Sequence, residues 1–272
     1  MEVLSEDKIE QWIVPHLSVG KRGFRTKVKL SKIVQLILKR LKTGCQWRML
    51  YVQEYIQDTS FSWHSVYYYF NKWCKEGCFK KIWTWLLREH KQRLDMSSIQ
   101  IDGSHTRSRN GGEAVGYQGR KSGKTSNSIF VCDSKGQMLP VSKPRSGEHN
   151  DVYEIEEVMQ ELLDVLQEAG IETRWLFVNA DAGFDTASFR GECERREMQP
   201  NVPENERGRK QATNEYRYFD EQLYGQRAVI ERANAWMDAF KALTVRYETK
   251  ACNWRSLQWL AFIVRFDKKL KV

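Results

Sequence analysis

Apolar residues in the first third of the chain recur at steps of three and four, the spacing of one face of an α-helix. The clearest pattern begins at Leu30 and Ile33, and Gly44 follows it at a position that suits a helix end. A second pattern begins after Ser62, which can cap a helix, and Gly77 separates it from a third. Short helices with tight connections are typical of a helix-turn-helix module.

The patterning changes near residues 95–98, where short β-rich runs replace the helical periodicity. The runs predict three strands, then a helix, a strand, a helix, a strand and a long helix, which is the element order of an RNase H-like α/β domain. The long helix is predicted over about 222–243, and a final apolar helix near 252–266 should pack on the core. We therefore predict an α/β fold in two domains, with an all-α helix-turn-helix domain over 1–95 and a mixed sheet flanked by helices over 96–272.

The net charge of +9 is distributed unevenly along the 272 residues. Residues 1–95 hold 18 of the 44 Lys and Arg but only 9 of the 35 Asp and Glu, so the rest of the chain is neutral. Excess positive charge in a small helical segment is expected of a module that binds a polyanion. The sequence has no run of 18 or more apolar residues and no signal segment, so we expect a soluble cytoplasmic protein with no membrane partner.

Three acidic residues stand in contexts that suit carboxylates holding a metal ion. Asp102 and Asp181 each end an apolar run that predicts a strand, and Glu231 lies in the predicted long helix. Such residues can converge at the edge of a sheet and hold two Mg²⁺ ions, which phosphodiester chemistry requires. Taken singly, an Asp-Gly pair also suits a turn, and a helical Glu also suits a surface ion pair. Asp185 competes with Asp181, but it is better placed to cap the next helix.

Seven ordered blocks of sequence carry a more specific signal than any single residue. They are TGCQWRML at 43–50, SVYYYF at 65–70, IDGSH at 101–105, GRKSGK at 119–124, DAGFD at 181–185, the spacing of Tyr224, Arg227 and Glu231, and VRYE at 245–248. In this order they resemble the DDE transposases of bacterial insertion sequences, the IS-five-like group. The resemblance implies an RNase H-like catalytic core in which Asp102, Asp181 and Glu231 are the catalytic and metal-binding residues. It also implies two Mg²⁺ ions per site, with Mn²⁺ as a substitute.

The function that this resemblance implies is transposition. The protein would bind the terminal inverted repeats of its own element, hydrolyse a phosphodiester at each end to expose a 3′-hydroxyl, and join that hydroxyl to target DNA. Two ends of double-stranded DNA must be held together, so a homodimer or larger assembly is expected on the DNA of the bacterial nucleoid. Two alternatives remain open from the sequence: a non-catalytic DNA-binding relative, domesticated or repressor-like, and a plain metal-dependent nuclease.

Basic and aromatic residues in several segments are the predicted DNA contacts. A Gly-rich loop near residue 120 and a charged segment before the first long helix both suit a phosphate backbone. Of three consecutive tyrosines on the second helix, one or two must face the core, so not all can contact DNA. The full set is Arg25, Lys27, Lys29, Arg48, Tyr68, Lys72, Arg120, Lys121, Lys124, Tyr224, Arg227 and Lys241.

The chain departs from the family pattern at one position. The family signature reads Tyr-x2-Arg-x3-Glu-x6-Lys, and here Tyr224, Arg227 and Glu231 fit it while Asp238 occupies the lysine position. On one continuous helix, Asp238 would lie on the same face as Glu231. Lys241 lies about one turn further on, and its long side chain is predicted to replace the missing lysine in part. Arg227 shares a helix face with Glu231 and can steady that carboxylate or hold a phosphate.

Overall fold

The computed structural model describes residues 3–19, 26–205 and 217–270, and within these ranges the chain forms ten α-helices and seven β-strands. The helices are α1 Glu6–Lys8, α2 Leu30–Thr43, α3 Trp63–Lys75, α4 Cys78–Glu89, α5 Ile155–Glu168, α6 Ala187–Arg195, α7 Glu221–Gly225, α8 Ala228–Met237, α9 Lys241–Thr244 and α10 Ala251–Leu270. The strands are β1 Ser98–Arg107, β2 Gly116–Gln118, β3 Gly123–Asp133, β4 Met138–Val141, β5 Arg145–Ser146, β6 Phe177–Asn179 and β7 Gln199–Asn201. None of the helices in the described ranges has an apolar stretch sufficient to span a membrane.

Two compact units make up the structure, and each is assembled from separate parts of the sequence. The helical unit consists of Met1–Leu86, Thr106–Glu113 and Met237–Val272. The sheet unit consists of Leu87–His105 and Ala114–Trp236. The sequence-based prediction divides the chain differently, by expected role, into a DNA-binding domain over 1–95 and a catalytic domain over 96–272. Compactness does not test that division, which stays a prediction.

The first third of the chain is helical, as predicted. α2 buries Ile33 and Leu41 on its apolar face and ends at Gly44, whose φ of 69° is costly for any residue with a Cβ atom. Ser62 stands at the N-cap position of α3, although its side chain accepts no capping hydrogen bond. Gly77, with a φ of 68°, separates α3 from α4. The predicted helix bounds therefore hold to within a few residues.

The C-terminal helix α10 belongs to the helical unit, where it packs against α2 and α3. The ring of Trp83 meets those of Phe262 and Phe266 edge-on, with centroids 5.6 Å apart in both pairs. All three side chains are buried. A fragment that ends at residue 95 would therefore lack part of the core of this unit, so DNA binding is better measured on the full chain.

Truncation of an α10 side chain tests this shared core. We expect Phe262→Ala to lower the free energy of unfolding by about 3–5 kcal/mol, because it removes a buried ring and leaves a cavity. Tyr51→Ala is the matched control at a side chain that is 65% exposed, and it should change stability by about 0.5 kcal/mol or less. Urea titration followed by tryptophan fluorescence compares the two. Equal midpoints for Phe262→Ala and the wild type would contradict the packing described.

A mixed sheet runs through the sheet unit. Its strand order is β2-β3-β1-β6-β7, and β4 and β5 also pair with β3. β1, β6 and β7 are parallel to one another, while β2, β4 and β5 run antiparallel to β3. A first group of strands joined by short connections, followed by parallel strands that alternate with helices, is the RNase H-like arrangement. The predicted fold class is confirmed, and β2 and β5 are additions that the patterning did not predict.

The first strand of the sheet is longer than predicted. The sequence predicts that it ends at Asp102, but β1 continues to Arg107. The Asp-Gly pair is therefore not a turn. A Cβ atom on Gly103 would lie 2.1 Å from Oδ1 of Asp151, so the glycine here allows a close approach of that carboxylate to the strand.

The long helix predicted over 222–243 is broken into α7, α8 and α9, with turns around 226–227 and 238–240. Shortly before the first break, the carbonyl of Leu223 accepts a hydrogen bond from the Asn179 side chain, which fixes α7 to the sheet. The second break places Asp238 after the end of α8, outside the helix that carries Glu231. The prediction of one continuous helix over 222–243 is therefore wrong. Asp238 directly follows the last residue of α8, and its place on the same face as Glu231 stays a prediction.

Candidate active site

The register between β1 and β6 brings the two predicted aspartates together. Gln100 pairs with Asn179 on these parallel strands, and Asp102 and Asp181 each lie two residues further along. Equal offsets along neighbouring parallel strands place both carboxylates at the same edge of the sheet. Nη2 of Arg227 lies 2.6 Å from Oδ1 of Asp102 and 3.9 Å from Oδ2 of Asp181, so one side chain reaches both.

Arg227 lies among all three predicted catalytic carboxylates. In addition to the two aspartates, it contacts Glu231, whose Oε1 accepts a hydrogen bond from Nη1 at 2.9 Å. The side chain of Asp102 is 18% exposed, against 44% for Asp181 and 64% for Glu231. The residues that sequence analysis selected from three separate elements are thus close together. The predicted contact between Arg227 and Glu231 is also present.

Asn234 holds the second oxygen of Asp102, and sequence analysis missed it. Its Nδ2 lies 3.0 Å from Oδ2 of Asp102, so each oxygen of this carboxylate accepts a hydrogen bond. Asn234 follows Glu231 by three residues on α8, which puts the two side chains on one face of the helix. That spacing was the available signal in the sequence.

The electrostatics of the site favour an added cation. Burial raises the pKa of Asp102 to about 6; Arg227 opposes this shift, and the carboxylates of Asp181, Asp151 and Glu231 add to it. The pKa is raised in spite of a directly bonded guanidinium because the effect of burial, with smaller additions from the neighbouring carboxylates, exceeds that of Arg227. A further positive charge bound here would stabilise the ionised form of all these carboxylates.

The chemical type of these donors fits a hard divalent cation, because Mg²⁺ prefers carboxylate oxygens. Among the residues that the structure describes, no three His, Cys, Asp or Glu side chains converge closely enough to enclose one ion as they stand. The guanidinium of Arg227 lies between these carboxylates, where it bonds to both Asp102 and Glu231 and approaches Asp181. A cation already occupies the centre of the acidic group.

Asp185 is engaged in a separate set of ion pairs. It lies 2.7 Å from Arg190 and 3.1 Å from Arg217, and its side chain is 6% exposed. Burial alone would raise the pKa of Asp185, but a backbone hydrogen bond and these two arginines hold it below its usual value. The predicted cap role is wrong, because Thr186 caps α6 instead. The structural use of Asp185 supports the choice of Asp181 for the site.

Two buried asparagines, absent from the predicted set, fix the segment that leads into the site. Asn179 on β6 donates to the carbonyl of Leu223 at 3.0 Å. Asn201 on β7 donates to the side-chain oxygen of Asn179 at 2.8 Å and to the carbonyl of Asp220 at 2.9 Å. Both asparagines are fully buried. Helix α7, which carries Tyr224, is thereby held by two parallel strands of the sheet.

Asp151 is a fourth carboxylate near β1 that the sequence did not single out. Its Oδ1 lies 3.7 Å from Nε2 of His105, and it also accepts a hydrogen bond from the Asn127 side chain at 2.6 Å. Its sequence neighbour His149 stacks on Tyr153, with ring centroids 3.6 Å apart. The carboxylate of this segment, and not its histidine, contributes to the electrostatics of Asp102.

The predicted DNA contacts in the helical unit are mostly exposed. Of the three consecutive tyrosines on α3, only Tyr68 is exposed, so the prediction that some face the core is confirmed. Lys72 is half-buried and lies 3.5 Å from the carbonyl of Ser18. Lys241 begins α9 and donates to the carbonyl of Asp238 at 3.3 Å, and its substitution for the missing lysine stays a prediction. The other exposed members are Lys27, Lys29 and Arg48, while Arg25 lies outside the described residues.

The predicted DNA contacts in the sheet unit fall into two groups. Arg120 and Lys121 are exposed on a 3₁₀ turn, and Lys124 is exposed at the start of β3. Tyr224 lies on α7 with its ring centroid 5.4 Å from that of Phe219. Arg227 joins the acidic residues described above. The loop and the acidic site are thus both available as surfaces of this unit, and contact of either with DNA stays a prediction.

The chain is similar to two known protein families and to several solved structures. Residues 94–264 match the family model of the DDE superfamily endonucleases, and residues 7–83 match a model for transposases of the IS4/5 family. Among solved structures, the chain is similar to a piggyBac transposase synaptic complex with hairpin DNA, at 10% identity and a TM-score of 0.49, over 98% of this chain and 73% of that one. It is also similar to the catalytic domain of Mos1 mariner transposase, at 12% identity and a TM-score of 0.31, over 68% of this chain and 88% of that one.

These structural similarities are low, so the assignment rests on the family models. A comparison with curated proteins gave no match. The match to the endonuclease model covers more than half of the chain and includes Asp102, Asp181 and Glu231. The match to the transposase model covers most of the N-terminal helices. The chain belongs to the DDE superfamily of endonucleases and is an enzyme of the IS4/5 transposase type.

Proposed function

We propose that this enzyme is the transposase of its own insertion sequence, which cleaves the DNA ends of that element and joins them to a target. The observation that carries the proposal is the gathering of Asp102, Asp181 and Glu231 around one guanidinium. Carboxylates from two parallel strands and one helix form a compact acidic site, which suits phosphodiester hydrolysis and transesterification. Membership of the DDE superfamily supports the same chemistry.

The three carboxylates would hold the divalent ions, two Mg²⁺ with Mn²⁺ able to replace them. Asp102 is the most buried of the three, and its carboxylate would hold the ions together with those of Asp181 and Glu231. Bound in this way, the ions supply Lewis-acid activation of the attacking oxygen and stabilise charge on the leaving oxygen. Water serves as nucleophile at each end, and the freed 3′-hydroxyl serves in the joining step.

The protein's own side chains would orient these groups. Asn234 fixes the Asp102 carboxylate through its second oxygen, so the carboxylate plane is set before substrate binds. Arg227 steadies the acidic residues in the free protein, and its planar fork suits a DNA phosphate once a metal ion takes over the carboxylates. Tyr224 lies on the anchored helix α7 just before Arg227 and would contact the cleaved end. Two copies of the chain, each with one DNA end, would form the active assembly.

The net positive charge of residues 1–95 would bind the DNA backbone, together with the turn that carries Arg120 and Lys121 and the start of β3 at Lys124. We expect Lys27→Ala, Lys29→Ala and Arg120→Ala to weaken binding similarly for all DNA sequences. Each should lower the salt dependence of binding by about one unit of slope in log K against log salt, because one phosphate contact is lost. Fluorescence anisotropy of the full chain at several NaCl concentrations measures this.

Lys143→Ala is the matched control for these charge changes. Lys143 is 76% exposed in the sheet unit and belongs to neither basic group. The Lys143→Ala variant should have the same affinity for DNA and the same salt dependence of binding as the wild type. If the three test variants also keep the wild-type slope, these residues do not contact phosphates and the proposed DNA surface is wrong.

Purified protein, Mg²⁺ and labelled DNA carrying the ends of its own element test the proposed function. We expect cleavage at the ends and transfer of a pre-cut 3′-hydroxyl end into target DNA, and EDTA should abolish both. Cleavage without any transfer of the pre-cut end would identify a plain metal-dependent nuclease. Binding of the ends with no cleavage in Mg²⁺ or Mn²⁺ would identify the non-catalytic DNA-binding alternative, against which the complete set of carboxylates argues.

A further inference from the structure

A cavity of 660 Å³ lies within the helical unit. Its lining includes residues from three of the family-like sequence blocks, 43–50, 65–70 and 245–248, which the proposed cleavage chemistry does not use. The volume falls in the range of small-molecule pockets, roughly 300–1,000 Å³. The residues that decide its chemistry are Arg40, Gln46, Trp47, Trp63, Tyr67 and Glu248.

Three aromatic side chains line this cavity. The Nε1 atom of Trp47 donates to Oε1 of Glu248 at 3.1 Å, and its ring meets that of Tyr67 edge-on with centroids 5.3 Å apart. Trp63 and Tyr67 are four residues apart on α3, so their side chains lie on one face of that helix. All three aromatic residues are half-buried, which leaves part of each open to the cavity or solvent. The Arg40 guanidinium lies over the Trp47 ring, 5.2 Å from its centroid, and Trp63 stacks on His64 with centroids 3.6 Å apart. The remaining ring faces are the stacking surfaces for a planar ligand.

Arg40 adds hydrogen-bond donors that lack acceptors. Its side chain is 3% exposed, and its Nη2 lies 3.0 Å from Oε1 of Glu248. Its Nε and Nη1 are buried and have no hydrogen-bond partner in the described part of the chain. Buried donors without acceptors are unfavourable, so a ligand that supplied acceptors here would be stabilised.

The charges around the cavity favour a neutral ligand over an anion. Arg40 and Glu248 form a close pair in which both side chains are buried, at 3% and 7% exposure. The two charges cancel, so a phosphate brought to this place would add a negative charge with no partner. A neutral ring with hydrogen-bond acceptors meets no such penalty and can use the aromatic faces as well.

The wall that carries Glu248 is held in place by Arg246. This guanidinium is fully buried, and it donates to the carbonyl of Glu248 at 2.8 Å and to that of Glu113 at 2.7 Å. Its backbone N–H also donates to the carbonyl of Arg107 at 2.8 Å. The cavity is therefore lined by a fixed segment and not by a loose loop, which reduces the entropy lost when a ligand binds.

We propose that this cavity binds one purine base that is unpaired and turned out of a DNA duplex. A purine offers the largest stacking face of the natural bases together with ring-edge acceptors, and the edge of guanine is the usual acceptor for arginine. The inference rests on the proposed function only in taking DNA as the source of the base. The base-binding site belongs to the helical unit, whereas the acidic residues belong to the sheet unit.

Binding of four matched duplexes by the full chain in EDTA tests this site. The duplexes share one sequence and are fully paired, or carry a single unpaired purine, an unpaired pyrimidine or an unpaired abasic residue. We expect the unpaired purine to bind about tenfold more tightly than the paired duplex, from stacking of one base. Free guanosine should compete for this extra affinity, while inorganic phosphate at the same ionic strength should not.

Substitutions at the cavity complete the test. Trp63→Leu and Tyr67→Leu should each remove most of the tenfold preference and leave affinity for the paired duplex unchanged. Tyr51→Leu, at an exposed aromatic outside the cavity, should keep the preference. Equal affinity for the purine and abasic duplexes, or competition by phosphate but not by guanosine, would overturn the proposal. Because EDTA prevents cleavage, the binding preference is measured independently of catalysis. The base-binding proposal can therefore fail while the proposed function holds, and the proposed function can fail while the preference is present.

Discussion

Asp102→Asn, Asp181→Asn and Glu231→Gln should each lower the rate of DNA cleavage by roughly a thousandfold or more. Each change keeps the shape of the side chain but removes a charge that the metal ions require. Because the three carboxylates act as one unit, the loss of any one of them should remove most of the activity. The affinity for DNA ends should stay within about threefold of the wild type, because most of it comes from phosphate contacts made elsewhere. Single-turnover cleavage and anisotropy on the same preparations separate the two quantities.

Two controls make this prediction specific to the three acidic residues. Glu157→Gln neutralises a carboxylate that is 77% exposed on α5, and it should leave cleavage unchanged. Asp185→Asn should reduce stability, because it removes the partner of Arg190 and Arg217, but activity per folded molecule should be close to that of the wild type. If Asp181→Asn stayed active while Asp185→Asn lost cleavage per folded molecule, the assignment of the second aspartate would be wrong.

Arg227→Gln should destabilise the metal-free protein by about 1–3 kcal/mol, since it leaves the half-buried Asp102 carboxylate without its cation. Addition of Mg²⁺ should recover more stability in this variant than in the wild type, because the ion no longer competes with a guanidinium for the same carboxylates. Thermal unfolding in EDTA and in Mg²⁺ gives both values without any cleavage reaction.

Arg190→Gln is the matched control for the loss of Arg227. It also removes one arginine from a carboxylate, Asp185, but outside the acidic site. Its destabilisation should be the same in EDTA and in Mg²⁺. An equal loss of stability for Arg227→Gln in both solutions would show that the guanidinium and the metal ion do not share a place.

Two of the three site carboxylates could be predicted because each directly follows an apolar run that marks a strand. Asp102 and Asp181 each follow an apolar run, and their equal offsets from the Gln100–Asn179 pair explain why two separate runs end near each other. Glu231 could be placed with them only through its spacing from Arg227 and Tyr224 within the family-like block. The distances among the three carboxylates then depended on the tertiary structure.

The parts that sequence analysis missed depend on hydrogen bonds between distant elements. Asn179, Asn201 and Asn234 have short polar side chains that are equally common on surfaces. Only the spacing of Asn234 from Glu231 gives a local signal, and nothing local marks Asn179 and Asn201 as buried. The break between α7 and α8 was missed as well, and helical periodicity gives no sign of the hydrogen bond from the Asn179 side chain to the Leu223 carbonyl beside it. The apolar faces of α10 predicted burial, but not that the helix would complete the helical unit.

The central claim is that Asp102, Asp181 and Glu231 form one metal-binding site in place of their shared contact with Arg227. Diffraction from crystals soaked in Mn²⁺, recorded where manganese scatters anomalously, tests it most directly. We predict an anomalous peak bonded to carboxylate oxygens of Asp102 and of at least one of the other two acids, with Arg227 no longer bonded to Asp102. Manganese bound only elsewhere, with the Asp102–Arg227 pair intact, would contradict the account.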